Sequence, residues 1–346
     1  MTRLRITASP HVGSPESTPR IMWSVVASLV PIVAASLYFF GPSAALVLAA
    51  STAGALLTEM WLGGKGSLRD GSAAITGLLL GLTLPAGIPC WMAFVGGAFG
   101  IGFGKMIFGG LGQNPFNPAL VGRAFLQAAF PVSLTTWPAN APGMTAFSHF
   151  RLDRLADWAR LRGDNLALPF AAPVVPDATT GATPLGLFKF ERQGSELSDL
   201  LLGTTGGCLG ETSAVLILLG GLYLALRNHL NWRIPVSVFA AVAALSGVLH
   251  LAGPDRFPGP LFMLFSGGLA LGAVYMATDM VTSPVTHRGC VIFGAGIGFL
   301  VVVIRLWGGL PEGVQYSILI MNALVPFLNR VTQPKVFGRR RVEPAS

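Results

Sequence analysis

Three threonine hydroxyls and a carboxylate fall within seven positions at Asp177-Ala-Thr-Thr-Gly-Ala-Thr183, with only small residues between them. A threonine hydroxyl can form a phosphoester. Gly181 and Ala182 leave the backbone open to a modifying enzyme, while Asp177, Thr179 and Thr180 offer polar contacts. Pro184 holds Thr183 in an extended conformation and contributes no N–H donor. The stretch therefore reads as an exposed loop presenting Thr183, although the same residues also describe an ordinary polar turn ahead of a helix. A second group of polar residues sits beside Gly or Pro at the ends of apolar segments: Asp70, Asn114, Asn117, Arg123, Glu211, Thr212, Asp279, Thr282 and Ser283. A charge at the centre of a membrane helix costs about 2.5–3.5 kcal/mol, so such residues mark function by default. The competing reading is capping of helix termini. Their joint occurrence around interrupted helices favours a cofactor, quinone or ion pocket. Glu59 and His250 fall inside apolar runs and read as satisfied polar side chains, with Glu59 reaching the interface. Cys90, Cys208 and Cys290 are far apart and form no C-x-x-C, so the chain alone builds no zinc or iron–sulfur site. They read as packing residues, or as ligands to a metal shared with a partner.

These residues need a frame, and composition indicates which kind. The 346 residues are 52% apolar and 11% charged, with mean hydropathy +0.63. Soluble domains carry about 25% charged residues, so the chain reads as an all-α integral membrane protein. Its 44 glycines fit close helix packing and broken helices in a buried interior. The net charge of +8 fits cytoplasmic loops rich in Lys and Arg rather than a nucleic-acid partner. A membrane helix needs about 20 apolar residues, and ten segments qualify, some of them short. They lie near 21–40, 43–62, 71–84, 90–108, 118–134, 210–227, 234–252, 260–278, 289–306 and 313–329. The segment at 71–84 is short enough to be a partial or tilted span.

The organisation that follows is a segment 1–20, a first membrane half 21–134, a hydrophilic insertion 135–209, a second membrane half 210–329 and a basic tail 330–346. The run from Ile21 to Phe40 exceeds the core of a signal peptide and reads as an uncleaved first helix. Short-loop Lys and Arg residues concentrate in loops 2–3, 4–5, 6–7 and 8–9 and at both termini. That puts both termini in the cytoplasm and the insertion outside. Within the insertion, His149 to Arg162 reads as an amphipathic helix, lying at the interface with Trp158 as anchor or packing on a partner subunit. Two halves of five helices imply an inverted repeat. A faint echo between Arg69–Gly81 and Leu209–Gly220 is the only residue-level trace of it.

Four blocks resemble one membrane-protein family. Asp177, Thr180, Gly181, Ala182, Thr183 and Leu185 match D-x-x-[ST]-G-A-[ST]-x-L, which resembles the site where a flavin transferase esterifies FMN to a hydroxyl through its phosphate. The others are Asp70-Gly-Ser-Ala-Ala-Ile-Thr-Gly, Gly109-Gly-Leu-Gly-Gln-Asn-Pro-Phe-Asn-Pro-Ala-Leu-Val-Gly-Arg-Ala-Phe and Met276-Ala-Thr-Asp-Met-Val-Thr-Ser-Pro-Val-Thr. Together they resemble the D subunit of the Rnf electron-transport complex and its relative, the B subunit of the sodium-pumping NADH:quinone oxidoreductase. The short N-terminus is more similar to the Rnf protein. The resemblance implies a subunit of a redox-driven pump of the bacterial inner membrane, moving sodium or protons as electrons pass between ferredoxin and NAD. It implies covalent FMN on Thr183 at the periplasmic face and a second, non-covalent riboflavin, placed here near Asn117 and Asp279. The chain has no nicotinamide fingerprint, P-loop or cysteine cluster. Partner subunits carrying iron–sulfur centres, an NAD site and a second FMN are therefore implied, with the transferase acting in maturation. A non-redox channel, a secondary transporter or a membrane scaffold are the rival readings.

Overall fold

The computed structural model describes residues 16–64, 66–137, 165–167, 169, 183–191, 200, 207–211, 213–254, 256–309 and 312–334. Asp177, Thr180, Gly181, Ala182, Thr212, the amphipathic segment at 149–162 and both terminal tails lie outside the described residues.

Among the described residues the secondary structure is helical. Helix α1 (Thr18–Phe40) enters through Pro19 and ends at Gly41, whose φ of 66° admits glycine without strain. Pro42 then opens α2 (Pro42–Gly63). A single turn, Ser67–Asp70, leads into α3 (Ser72–Leu82). Next come α4 (Cys90–Gly104), α5 (Pro118–Ala129) and the short α6 (Pro131–Thr135). The second half contains α7 (Ala214–Leu226), α8 (Arg233–Ala252) and α9 (Pro260–Phe265). After a break, α10 (Leu269–Leu271) runs on into a π-helical turn, Gly272–Met276. Helices α11 (His287–Trp307) and α12 (Val314–Thr332) complete the chain.

Among the described residues, five stretches are long and apolar enough to cross a membrane: α1, α2, Cys90–Phe108, α8 and α11. Helices α3 and α7 are apolar but shorter. Helix α12 is as long but more polar, with Gln315, Asn322, Asn329 and Arg330. Large apolar side chains such as Trp61, Val30, Leu222, Val236 and Phe299 are exposed on these helices. That outer surface is the one a multi-pass membrane protein presents to lipid. Two expected spans differ from the sequence reading. The segment expected at 118–134 breaks at Phe130, where Pro131 starts a new helix. The one expected at 260–278 is interrupted at 266–268, where Gly267 has a φ of 66°.

The two halves pack alike. Helix α2 packs along α3 and α4, and α4 along α5; correspondingly, α8 packs along α9 and α11, and α11 along α12. Glycines permit each central contact. A Cβ on Gly97 of α4 would lie 2.2 Å from the Ser51 carbonyl oxygen of α2, and one on Gly298 of α11 would lie 2.7 Å from that of Val238 of α8. In this pattern α3 corresponds to the interrupted α9–α10. The echo between residues 69–81 and 209–220 pairs α3 with α7 instead, out of step with this packing pattern.

Close helix approach should be intolerant of a single methyl group. Gly97→Ala is expected to lower the unfolding temperature of the detergent-solubilised protein, at a cost of about 1–3 kcal/mol or more. Gly102→Ala, whose Cβ would meet only Thr58 Cγ2 at 3.8 Å, should leave that temperature nearly unchanged.

Candidate functional site

The turn before α5 builds the first polar wall. Asn117 caps α5: its Oδ1 accepts from the Ala119 and Leu120 N–H groups at 3.0 and 3.4 Å, and Pro118 occupies the first helical position. Its Nδ2 donates to the Met276 carbonyl at 3.1 Å, fastening the first half to the end of α10. With its amide set to satisfy both neighbours, Asn322 of α12 donates to the Thr282 carbonyl and accepts from the Asn117 N–H, each at 3.3 Å. Asp279 closes its own turn, accepting from the Val281 N–H at 3.3 Å and the Thr282 hydroxyl at 3.2 Å. Burial pushes the Asp279 carboxyl above its ordinary value, and these two bonds oppose that shift. Ser283 takes part through its N–H, which donates to the Asp279 carbonyl at 3.1 Å.

These residues border an open cavity between α1, α3, α7, the start of α5 and the turn after α10. Asn114, Asn117, Asp279, Ser72 and Lys105 supply polar groups, while Val25, Ile75, Leu79, Leu224 and Val274 supply apolar walls. The Asn114 Nδ2 donates to the Phe116 carbonyl, but its buried Oδ1 has no partner among the described residues. Apolar walls with an orphaned carbonyl oxygen suit a flat heteroaromatic ring carrying an N–H edge.

Lys105, at the end of α4, sits on the same wall. It is 2% exposed, and its Nζ donates to Glu59 Oε1 at 2.7 Å and Ser72 Oγ at 2.6 Å, with Asp70 Oδ2 at 4.0 Å. Ser67 Oγ also donates to Glu59 Oε1. Glu59 is therefore fully buried and paired, not at the interface as its position in the sequence suggested. Asp70 follows the capping reading, accepting from the N–H and hydroxyl of Ser72 at 2.8 and 2.6 Å. His250 is satisfied, with Nδ1 2.8 Å from the Phe257 carbonyl.

Thr183 lies elsewhere, at a different opening. It is buried rather than exposed, and its Oγ1 accepts from the Gly186 N–H at 3.1 Å as the cap of a single turn, Pro184–Gly186. Two residues on, Leu185 lines an open groove with Phe188, Phe257, Phe262, Trp307, Lys189 and Arg256. The Phe188 and Phe262 ring centroids are 5.4 Å apart, and those of Phe257 and Trp307 are 6.2 Å apart. Aromatic faces beside two cationic side chains suit a phosphorylated ring system. A Cβ on Gly267 would fall 2.7 Å from Leu185 Cδ1, so glycine at the helix break seats the Thr183 segment.

The third group lies deeper. Arg123 Nη2 donates to Glu312 Oε2 at 2.5 Å and to Cys208 Sγ at 3.6 Å. Cys208 is held by the chain crossing at 84–85, where the Leu209 N–H donates to the Leu84 carbonyl at 3.0 Å. Glu211 follows on the same turn. Arg305 of α11 is 3% exposed and donates to the Met263 and Ser266 carbonyls at 2.6 and 2.8 Å. It is an internal residue, not a charge of the loop after α11. The structure thus separates the sequence candidates. Asn114, Asn117, Asp279, Thr282 and Ser283 belong to one wall, Arg123 and Glu211 to the inner cluster, and Thr183 and Leu185 to the groove. Sequence reasoning missed Lys105, Glu312 and Gln315. Lys105 had a usable signal, a lone charge within an apolar stretch.

Removing one member of the buried pair should be costly. Lys105→Met leaves Glu59 buried and unpaired, and is expected to destabilise the protein by about 3–5 kcal/mol. Adding Glu59→Gln should recover part of the loss, as read from unfolding temperatures in detergent.

The family model described as "NQR2, RnfD, RnfE family" matches residues 5–338. Over 351 residues the chain is 40% identical to the D subunit of the proton-translocating ferredoxin:NAD(+) oxidoreductase complex of Clostridium ljungdahlii, covering 97% of this chain and 96% of that one. It is 41% identical over 339 residues to the D subunit of the ion-translocating oxidoreductase complex of Stutzerimonas stutzeri, covering 93% of each. It is 37% identical over 348 residues to the D subunit of the Na(+)-translocating ferredoxin:NAD(+) oxidoreductase complex of Acetobacterium woodii, covering 98% and 97%. The blocks around Asp70, Asn114–Arg123, Thr183 and Asp279 thus lie in a match that spans nearly the whole chain, and the protein belongs to the NQR2, RnfD, RnfE family.

Proposed function

We propose that this chain is the membrane subunit of a redox-driven ion pump, carrying FMN esterified to Thr183 and a second, non-covalent flavin in the Asn114–Asp279 cavity. The observation that carries the reading is that Leu185, two residues from Thr183, lines a groove with both aromatic and cationic walls. When bound, flavin supplies the reversible uptake and release of electrons. The protein supplies position. Lys189 and Arg256 offer charge to the phosphate, and the Phe188–Phe262 and Phe257–Trp307 pairs offer faces to the ring. At the other cavity, the Asn114 Oδ1 offers an acceptor, and Lys105, paired with Glu59, lines the same wall.

The same reading includes ten membrane-spanning segments in two inverted halves, α1–α5 and α7–α12. Both termini face the cytoplasm and the Thr183 groove faces the periplasm of a bacterial inner membrane. Supporting it are the matched packing of the halves and the basic loops next to the Asn114 cavity. Electrons would pass to and from iron–sulfur, NAD-binding and FMN-bearing partner subunits. The relatives' names support ion translocation linked to ferredoxin and NAD.

Co-expressed with the flavin transferase, the protein should give a fluorescent band after denaturing electrophoresis. Thr183→Ala should abolish that band and Thr180→Ala should retain it; the opposite pattern would move the ester to Thr180. Asn114→Leu should leave the band intact while lowering the flavin released on acid denaturation by about ten-fold, the loss expected when a buried acceptor is removed. A reporter fused within 135–182 should behave as periplasmic.

A further inference from the structure

We propose that Glu211, Glu312 and Gln315 form an internal binding site for a small monovalent cation, an alkali ion or a proton carried in its place. The proposal rests on the reading that this chain serves ion translocation. Cys208 Sγ, a carboxylate oxygen of Glu211 and one of Glu312 all lie within 4.8 Å of one another. Three acceptor oxygens there lack a donor among the described residues: Glu211 Oε1, Glu312 Oε1 and Gln315 Oε1. Gln315 is 5% exposed and lines the same small cavity as both glutamates. Buried acceptors without a donor are costly, and a bound cation or proton removes that cost.

Charge and size narrow the occupant. Arg123 directs Nη2 to Glu312 Oε2, while Arg305 turns its guanidinium to the Met263 and Ser266 carbonyls. Arg305 thus adds positive charge nearby without bonding either carboxylate, and Glu211 is the carboxylate with no directly bonded guanidinium, so the site takes at most one further positive charge, which matches a monovalent ion or a proton. The cavity has room for about one water-sized occupant, which excludes a quinone or nicotinamide. Oxygen donors select a hard cation. The surroundings are those of ion sites in transporters, where interrupted helices meet at the contact between two repeats. Helix α3 ends at Leu82 and α9 at Phe265, and a Cβ on Gly268 in the second break would be 3.3 Å from Glu211 Oε1. Arg123 comes from the first half, and Glu211, Glu312 and Gln315 from the second. Relative movement of the halves would therefore change the Arg123–Glu312 pairing beside the site.

The test uses inverted membrane vesicles containing the whole complex, driven by reduced ferredoxin and NAD. Uptake of radioactive sodium is measured across sodium concentrations, and proton uptake is followed with a pH-sensitive dye across external pH. Gln315→Leu should raise the half-saturating sodium concentration, or shift the proton-uptake midpoint, by about ten-fold in ion concentration, the effect of losing one buried acceptor. Glu211→Gln should abolish uptake. Both variants should keep the fluorescent flavin band of the wild type. A sodium response identifies an alkali ion and a pH response alone identifies a proton; either supports the site. Unchanged half-saturation in Gln315→Leu, with the band intact, would overturn the proposal, and that variant decides the matter if Glu211→Gln fails to assemble. A wild-type complex that takes up ions without a fluorescent band would overturn the flavin reading alone.

Discussion

The carbonyl groups freed where α9 stops must find donors inside a bundle whose outer surface is apolar. In hydrocarbon, backbone left without a partner costs several kcal/mol, so a helix can break only where protein resupplies the missing bonds. Arg305 does this for Met263 and Ser266. Its guanidinium is fixed by that duty, and the break it stabilises leaves Gly267 and Gly268 without side chains between two working surfaces. Leu185 of the Thr183 segment rests against Gly267, and Glu211 stands beside Gly268. The opposite break, after α3, is met by the strand-like crossing of Leu84 and Leu209, which sets Cys208 and Glu211 in place.

A buried cation occurs at a comparable place in each half. Lys105 terminates α4 and Arg305 lies near the end of α11, and these two helices occupy equivalent positions in their halves. Each is held by a different set of acceptors. Lys105 pairs with Glu59 and Ser72, a charge pair that fixes the start of α3 next to the Asn114 cavity. Arg305 has only backbone carbonyls, so it stabilises a break instead of a helix start.

Much of this was legible in the sequence. Apolar length located the long helices to within a few residues, because a run of about 20 apolar residues has few other uses. The Asn114-Pro-Phe-Asn117-Pro block announced a cap and a helix start, and both are present. The Gly-rich composition announced close packing. What stayed hidden depends on contacts between distant segments. Glu59 reads as a charge near a helix end until Lys105, 46 residues later, is brought against it. Glu312 sits in a short loop after Gly308-Gly309, and nothing local distinguishes it from a solvated charge; only Arg123, 189 residues away, gives it a role. Thr183 stands out through motif resemblance, but its burial could not be read from a stretch composed of small and polar residues.

The arrangement also bears on how electron and ion movements could be linked. The Thr183 groove and the Glu211–Glu312 cluster lie on either flank of one short segment, Ser266 to Gly268, and Arg305 touches both surroundings. A change of charge in the groove would act on Arg305 through a medium of low dielectric, where charges interact far more strongly than in water. Arg305 cannot move without releasing the Met263 and Ser266 carbonyls of the break, and Gly268, two residues after Ser266, borders the cavity beside Glu211. Charge in the groove and charge in the cluster are therefore not independent variables. Proximity alone does not make a pump, since coupling requires an element with two arrangements that both sites bias. The break after α9 is short, contains glycine at positive φ, and is held by side-chain bonds rather than by a continuous helix.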